Sequence, residues 1–566
     1  MSATLLRVST CLAILLCGAS AAQGIPAVVT EILRSRFEGD GPASKANGQT
    51  DALAPGALRL FYERRSFRPA WHREAGGPDL APALVEAVRA GSRHGMNPDD
   101  YRLGAIETAL GAEGPPGAPP RPGDLADLEL LLSDSFLAYG SHLLAGRVAP
   151  AALYEDWVAT PRKLDVTAVL EKALAKGRVG EELEALAPRH PEYRNLQGAL
   201  ARYRGLAEGG GWEPVALGEK LAKGDAGPRV AALRRRLAAE GYLPAAAPGD
   251  AERFDAALEQ AVRSFQGRNG LAKDGAVGPA TAAALNVSAR ARVQTIEVNL
   301  ERCRWLPQDL GRRHLRVNVA DFSLDVVEDG ETVLSMPVVV GKPFNKTPVF
   351  SGTLSHIVLN PAWTVPQAIA EKEILPLARR DRGYLAKHRF RLFSGWGPEA
   401  RAVDPEGVNW KAIRPKRLPF WFRQDPGPLN PLGTIKFVLA NRFDVYLHDT
   451  STRTLFSRSR RDFSHGCIRV GKPIDLAADL MQGSPWTAGE ILDAIARGEE
   501  RTIALPKAVP VHILYCTAWA DSDGSVHFRN DIYGRDAAVS EALERTPSRA
   551  ESIYPGAAEH RQAANR

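Results

Sequence analysis

Cysteine is scarce in this chain: there are five in 566 residues. Two of them, Cys11 and Cys17, belong to the N-terminal apolar stretch, leaving Cys303, Cys467 and Cys516. An odd number of thiols excludes a fully paired disulfide framework and leaves at least one free or intermolecular, even in an oxidising compartment. No Cys-x-x-Cys or His-Glu-x-x-His pattern accompanies the histidines, so no standard zinc-site spacing is present. Beyond the N-terminal stretch no run of about eighteen apolar residues occurs, and the rest of the chain is expected to be soluble. A dense basic run with interleaved aromatics is also missing. With 72 basic and 66 acidic residues the net charge of +6 is a mild excess over this length, and nucleic acid is not an expected partner. What is present is ordinary for globular protein, 44% hydrophobic and 24% charged, and the length prior is about three or four domains.

The first residues read as an export signal. Arg7 gives a positive start, Cys11 to Cys17 is an apolar core, and Ala19-Ser20-Ala21 offers a small-residue cleavage site. Leu16 precedes Cys17 and Thr10 precedes Cys11, whereas a lipoprotein signal places a small residue there. Residues 1–22 are therefore expected to be a cleaved secretory signal, with an uncleaved anchor as the alternative.

Most of the chemistry is concentrated between His448 and Arg469. Phe443 to Leu447 is rich in β-formers and reads as a strand ending at His448. Asp449 to Thr452 reads as a turn, Arg453 to Asp462 as a charged loop, and Ile468-Arg469-Val470 as the start of another element. Two element ends joined by a polar loop can bring His448 back against Cys467, which offers a thiol nucleophile and an imidazole base together. A thiol is only a few per cent thiolate at neutral pH, so such a base is needed. Gly466 removes bulk where an acyl group must approach, and backbone N–H groups at Gly466 and Cys467 can stabilise an oxyanion. The planar, permanently charged guanidinium of Arg469 suits a substrate carboxylate. Two other readings of these residues stand beside this one. Cys467 can be a small buried hydrophobe, or His448, His465 and Cys467 can ligate zinc.

Ser464-His465-Gly466-Cys467-Ile468-Arg469, with His448 upstream and fifteen residues between it and the run, resembles the active-site signature of the L,D-transpeptidases, cysteine enzymes that cross-link bacterial peptidoglycan. The resemblance implies Cys467 as nucleophile and His448 as general base, with Ser464, His465, Gly466 and Arg469 shaping the donor site and oxyanion hole. It implies that the backbone at Asp449 orients the imidazole, although the family often has Gly or Ser at that position. The runs Asn360 to Pro366, Arg423 to Gly427 and Asn430 to Phe437 resemble the larger Gram-negative members. The implied reaction expels D-alanine from a tetrapeptide stem, leaves a thioester on Cys467, and resolves it with an amine of a second stem. Carbapenem-type β-lactams would acylate Cys467. No cofactor or metal is implied. The implied partners are stem peptides, glycan strands, an upstream D,D-carboxypeptidase and other wall-synthesis proteins, in the periplasm. Hydrolytic L,D-carboxypeptidase activity and an inactive wall-binding scaffold are the alternatives.

The rest of the chain divides as a multidomain α+β protein. Residues 23–207 read as a helical scaffold domain; the stripe of Leu128, Leu131, Leu132, Phe136 and Leu143 reads as core, with Tyr139. The segment with Phe61, Tyr62 and Trp71, the run Gly95 to Tyr101, and Pro188 to Arg204 resemble the family's scaffold segment. Gly111 to Gly123 reads as a surface loop, and Glu208 to Gly211 as a linker. Residues 217–287 hold three short helical patterns and resemble a peptidoglycan-binding module. Residues 314–493 are the expected β-rich catalytic domain. An insertion at 364–430 carries Trp396, Trp410 and Trp421 and is a candidate lid. A C-terminal β extension at 494–540 and a disordered tail at 541–566 complete the expected division. Cys303 and Cys516 are expected either as a bridge or as two buried thiols.

Overall fold

The computed structural model describes residues 24–38, 52–71, 80–111, 121–158, 160–216, 218–244, 251–395, 397–414 and 418–545. The expected signal at 1–22, most of the loop between Gly111 and Gly123, Trp396, and the tail from 546 lie outside them.

The N-terminal part is helical because its apolar residues recur at helical spacing. Its longest helix, Pro122–Ala145, has Pro at its start and is buried along nearly its whole length. Such a helix needs neighbours on all sides. Shorter helices, including Ile25–Glu38, Pro55–Arg64, Val166–Lys176 and Pro191–Glu208, share a core with it. Leu128, Leu132, Phe136, Tyr139 and Leu143 are all in that core. The helix Pro191–Glu208 runs through the start of the expected linker, with Gly210 and Gly211 in left-handed conformations just beyond its end.

Three helices, Pro228–Ala239, Ala256–Arg268 and Pro279–Leu285, form the second unit around Val230, Leu233, Leu258, Val262, Phe265 and Leu285. It does not hang on a flexible tether. Tyr203 of the first unit donates to buried Glu240 at 2.8 Å, and Glu240 pairs with fully buried Arg236 at 2.7 Å.

The third unit follows the helix Ala289–Arg304. Its strands in chain order are β1 (Arg313–Asn318), β2 (Ser323–Glu328), β3 (Glu331–Gly341), β4 (Phe350–Leu359), β5 (Trp363–Thr364), β6 (Phe390–Ser394), β7 (Arg401–Val403), β8 (Trp421–Gln424), β9 (Ile435–Leu439), β10 (Leu447–His448), β11 (Asp462–Ser464), β12 (Ile468–Val470), β13 (Arg501–Leu514), β14 (Ala518–Ala520) and β15 (Val526–Phe528). The main sheet runs β11-β3-β12-β10-β9-β4-β13-β1-β2, and β2 also pairs with β3, so the order returns on itself. Alternate residues of each strand fill its core: Leu315 and Val317, Leu324 and Val326, Ile435 and Phe437, Leu447, Ile468 and Val470.

Three expected boundaries move. β13 lies between β4 and β1 in the main sheet, so a division at 493 would cut the catalytic sheet through its middle. The sequence distance of β13 from the rest concealed this, since non-local pairing leaves no local signal. β10 is two residues long rather than five, because Asp444 takes a left-handed φ of 53° and breaks the strand there. The chain is still helical beyond 541, in Asp536–Glu544, whose Val539 is buried in the catalytic core. The hairpin β14–β15 sends Ala518, Ala520, Val526 and Phe528 into the core of the N-terminal helices, so the end of the chain fastens the first unit to the third.

The insertion folds on its own core. β5, β8, β6 and β7 form a small sheet, and Leu375, Leu392, Trp410, Phe420 and Phe422 pack beneath it. Trp410 is therefore structural, while Trp421 stacks on Phe393 with ring centroids 4.7 Å apart.

Candidate active site

The parallel pairing of β10 with β12 sets Leu447 against Ile468 and His448 against Arg469. The antiparallel pairing with β9 sets His448 against Lys436. Paired residues share a face of a sheet, and Leu447, Ile468 and Phe437 are in the core. Lys436, His448 and Arg469 therefore stand in a row on the opposite face. Cys467 is two residues before Arg469 and falls on that same face. The amide of Ile468 donates to the Tyr446 carbonyl at 3.1 Å and holds this end of the strand in register.

His448 is buried, with Nδ1 2.5 Å from the carbonyl oxygen of Asp449. A carbonyl only accepts, so Nδ1 carries the proton and Nε2 is left with the lone pair. Burial first, then the Arg469 and Lys436 charges, push His448 down to about 3. The imidazole is neutral at any ordinary pH. Burial pushes the Cys467 thiol up, against hydrogen bonds from Tyr446 and the Lys436 and Arg469 charges, which favour the thiolate. At rest the thiol and the imidazole are both neutral, so a thiolate forms here only with loss of the thiol proton.

The Asp449 side chain replaces the small residue common in the family, and it is used. Its Oδ2 accepts from both N–H and Oγ1 of Thr434 at 2.9 Å, and its Oδ1 accepts from Arg453 at 2.8 Å. Room for it exists because Gly433 has no side chain: a Cβ there would lie 2.4 Å from Oδ2, at a φ of 62°. Arg453 also donates to the Gly471 carbonyl at 2.6 Å, tying the loop after His448 to the strand after Cys467.

The residues before the thiol take different places. Ser464 is buried; its hydroxyl donates to the Cys467 carbonyl at 2.6 Å and accepts from the Gly466 amide at 3.1 Å. It clips the turn shut instead of facing a donor. The Gly466 N–H makes this bond within the turn. Gly466 itself has a φ of 119°, a conformation that favours glycine. His465 bonds Glu373 of the insertion at 2.7 Å. Glu373 lies on the π-helical stretch Ala370–Ile374, so the insertion touches the thiol segment directly. Arg469 reaches Thr450 only at 3.4 Å, and its Nε is buried without a partner.

Sequence reasoning missed Tyr446, Lys436 and Trp363 as members of the site. Tyr446 hydrogen bonds the Cys467 sulfur and receives a bond from Trp363. Its ring lies 5.7 Å from that of His448, and the Lys436 ammonium sits 4.0 Å from its centre. Tyr446 is two residues before His448, the spacing that puts it on the same face, and that signal was available. Among the described residues no group of three or more His, Cys, Asp or Glu side chains is placed to hold a metal, and His465, turned toward Glu373, is not directed at a common centre with Cys467 and His448. Cys303 and Cys516 are free thiols, and burial pushes Cys516 up to about 11 and Cys303 up as well. No helix among the described residues is long and apolar enough to cross a membrane.

Three family models match the chain: a scaffold domain at 56–200, a candidate peptidoglycan binding domain at 226–285, and an L,D-transpeptidase catalytic domain at 312–487. A Haemophilus influenzae protein described as a candidate L,D-transpeptidase is 32% identical over 247 residues, 44% of this chain and 49% of the relative. The chain thus spans about half the length of that relative. An L,D-transpeptidase of Xylanimonas cellulosilytica matches at 17% identity over 53% of this chain and all of its own, with a TM-score of 0.17. One of Mycobacterium smegmatis matches at 14% over 36% of this chain and 58% of its own, also with a TM-score of 0.17. At those scores neither bears on the fold. The catalytic model matches over the sheet that carries His448, Cys467 and Arg469 and follows the two other domain models in order, so the chain is similar to L,D-transpeptidases through that domain.

Proposed function

We propose that the protein is a peptidoglycan L,D-transpeptidase with Cys467 as nucleophile and His448 as general base. The observation that carries this reading is the His448–Arg469 pairing of β10 with β12, which puts base, thiol and a guanidinium on one face. The Sγ of Cys467 attacks the carbonyl carbon of the diaminoacid in a tetrapeptide stem while its proton passes to Nε2 of His448. The Cys467 backbone amide and the Tyr446 hydroxyl, beside the sulfur, are the donors at hand for the oxyanion. Collapse breaks the C–N bond, the imidazolium returns its proton to the leaving amine of D-alanine, and a thioester remains. An amine of a second stem gives a proton to His448, attacks the thioester, and restores the thiol.

The Asp449 carbonyl keeps the imidazole in the required tautomer throughout. The insertion, in contact with His465 through Glu373, acts as a cover that limits water, which favours the amine over hydrolysis. The compartment is the periplasm, and the three-helix unit holds the enzyme on the wall.

The test is intact-protein mass spectrometry with a carbapenem, then with a disaccharide-tetrapeptide. A single adduct on Cys467 and a dimeric muropeptide are expected. D-alanine release without a dimer would make the enzyme a carboxypeptidase. No adduct on a reduced thiol would leave the wall-binding scaffold.

A further inference from the structure

The row across β9, β10 and β12 holds two cations and no anion. Lys436 is half-buried, and Arg469 has a guanidinium nitrogen wholly removed from solvent. Neither takes part in an ion pair among the described residues, although arginines nearby do: Arg453 pairs with Asp449 and Arg423 with Glu500. Burying an ionised group without a partner is costly. Two such groups kept side by side around an imidazole gain their partners when a ligand arrives. Burial already weighs against the Lys436 ammonium, lowering its pKa. Cys467, Glu500 and Asp444 offset this in part, and the face of Tyr446 lies 4.0 Å away.

The geometry fixes what the ligand must look like. Lys436 and Arg469 are paired to His448 from its two sides, so their backbones are two strand spacings apart, about 10 Å. The thiol lies at the Arg469 end of the row. A donor lying across β10 would present its reacting carbonyl to Cys467 with one anionic group toward each cation.

We propose that Lys436 is a second anion-anchoring residue of the donor site, and that the donor is recognised as a dicarboxylate, one carboxylate on Arg469 and the other on Lys436. This rests on the transpeptidase reading and deepens it. A tetrapeptide stem meets the requirement: the terminal carboxylate of the departing D-alanine and the side-chain carboxylate of the diaminoacid lie on either side of the attacked carbonyl. Amidation of either one removes half of the recognition. Lys436 touches the substrate in this arrangement and takes no part in proton transfer.

The test compares wild type, Lys436→Met and Lys436→Arg on three disaccharide-tetrapeptide donors: unmodified, amidated at the diaminoacid carboxylate, and amidated at the C-terminal carboxylate. Lys436→Met is expected to raise KM for the unmodified donor about ten- to a hundredfold, the worth of a charge-assisted contact. On one of the amidated donors it should do far less, because the group that Lys436 holds is already gone. Lys436→Arg should recover most of the loss, since it keeps the charge over Tyr446. An equal loss on all three donors, or a fall in kcat with KM unchanged, would overturn the proposal and make Lys436 a support for Tyr446 or the thiolate. Wild-type protein that turns over none of the donors would instead count against the transpeptidase reading itself.

Discussion

The position of Cys467 depends on one hydroxyl that belongs neither to the thiol nor to the imidazole. Thr347 has no solvent exposure. Its Oγ1 accepts from the Gly341 amide at 2.9 Å and donates to the Gly466 carbonyl at 2.8 Å. Its own amide donates to the Tyr533 hydroxyl at 3.1 Å, and that hydroxyl donates to the Gly341 carbonyl at 2.7 Å. The Tyr533 amide in turn donates to Tyr515, whose hydroxyl bonds Asp531. The turn before the thiol is thus pinned to the end of β3 and to the C-terminal segment. Thr347→Val keeps the shape and removes the hydroxyl, leaving the Gly341 N–H and the Gly466 C=O buried and unpaired. Each such group costs about 1–3 kcal/mol, so the loss is about 2–6 kcal/mol. Thr347→Ser keeps both bonds and loses one methyl, costing about 1 kcal/mol. A domain of this size shifts by about 2–4 °C per kcal/mol. The calorimetric transition of the catalytic unit should therefore fall by at least about 4 °C in the valine variant and clearly less in the serine variant. Acylation by a carbapenem should slow in the valine variant even at temperatures where it is folded, because Gly466 is freed. Valine and serine variants of equal stability, with acylation rates like the wild type, would refute the argument that this hydroxyl holds the turn.

Three further outcomes follow from the same geometry. Tyr446→Phe removes a hydrogen bond that favours the thiolate, so the pH midpoint of Cys467 alkylation should move upward; a midpoint unchanged or lower would contradict the bond. His448 is held at about 3, as is His142 in the helical core, while an unfolded histidine titrates near 6.5. The unfolded chain then binds the extra protons, so stability is lost as pH falls from about 6.5 toward 3, at about 1.4 kcal/mol per pH unit for each histidine. Calorimetry from pH 7 to 4 should show a shallower decline in His448→Ala, and the acylation rate of wild type should show no inflection near 6.5. Finally, protein lacking residues 1–22 should give one thiol to a charged disulfide reagent when native and three when unfolded, because burial raises Cys303 and Cys516, whereas Tyr446 hydrogen bonds and the Lys436 and Arg469 charges favour the Cys467 thiolate. Two reactive thiols in the native state would show Cys303 or Cys516 to be more open than the structure has it.

The parts of the fold that were legible in sequence are those with local periodicity. Leu128, Leu132, Phe136 and Leu143 repeat on one helical face and are buried. The three short helices around Leu233, Val262 and Leu285 fall where the turns between them predict. The illegible parts depend on residues far apart. β13 reads as a strand in isolation, but nothing local says that it is inserted between β4 and β1. The hairpin of β14 and β15 is short and apolar, and its burial against helices more than 300 residues earlier has no local signature, although Asn195 donates to the Ala520 carbonyl at 3.1 Å. The left-handed φ of Asp444 ends a strand that its neighbours' β propensity would have continued.

The active site divides along the same line. Cys467, His448 and Arg469 could be named because their chemistry is carried by side-chain type in one short segment. Which way each one faces was a matter of strand register, and register is a relation between segments. Ser464 and His465 show the consequence: both belong to the signature, yet one closes a turn and the other contacts the insertion. Lys436 shows the converse. It sits in the run Asn430 to Phe437, whose resemblance to the larger members assigns it no role, and its pairing with His448 makes it part of the site. A signature thus names the candidate reacting atoms, whereas the charge that surrounds them is set by strands the signature does not include. The electrostatics of His448 follow from this. Its neutrality comes from burial, from Arg469 on one side strand and from Lys436 on the other, and a sequence with the same signature but a neutral residue at the position of Lys436 would hold the same base at a different pKa.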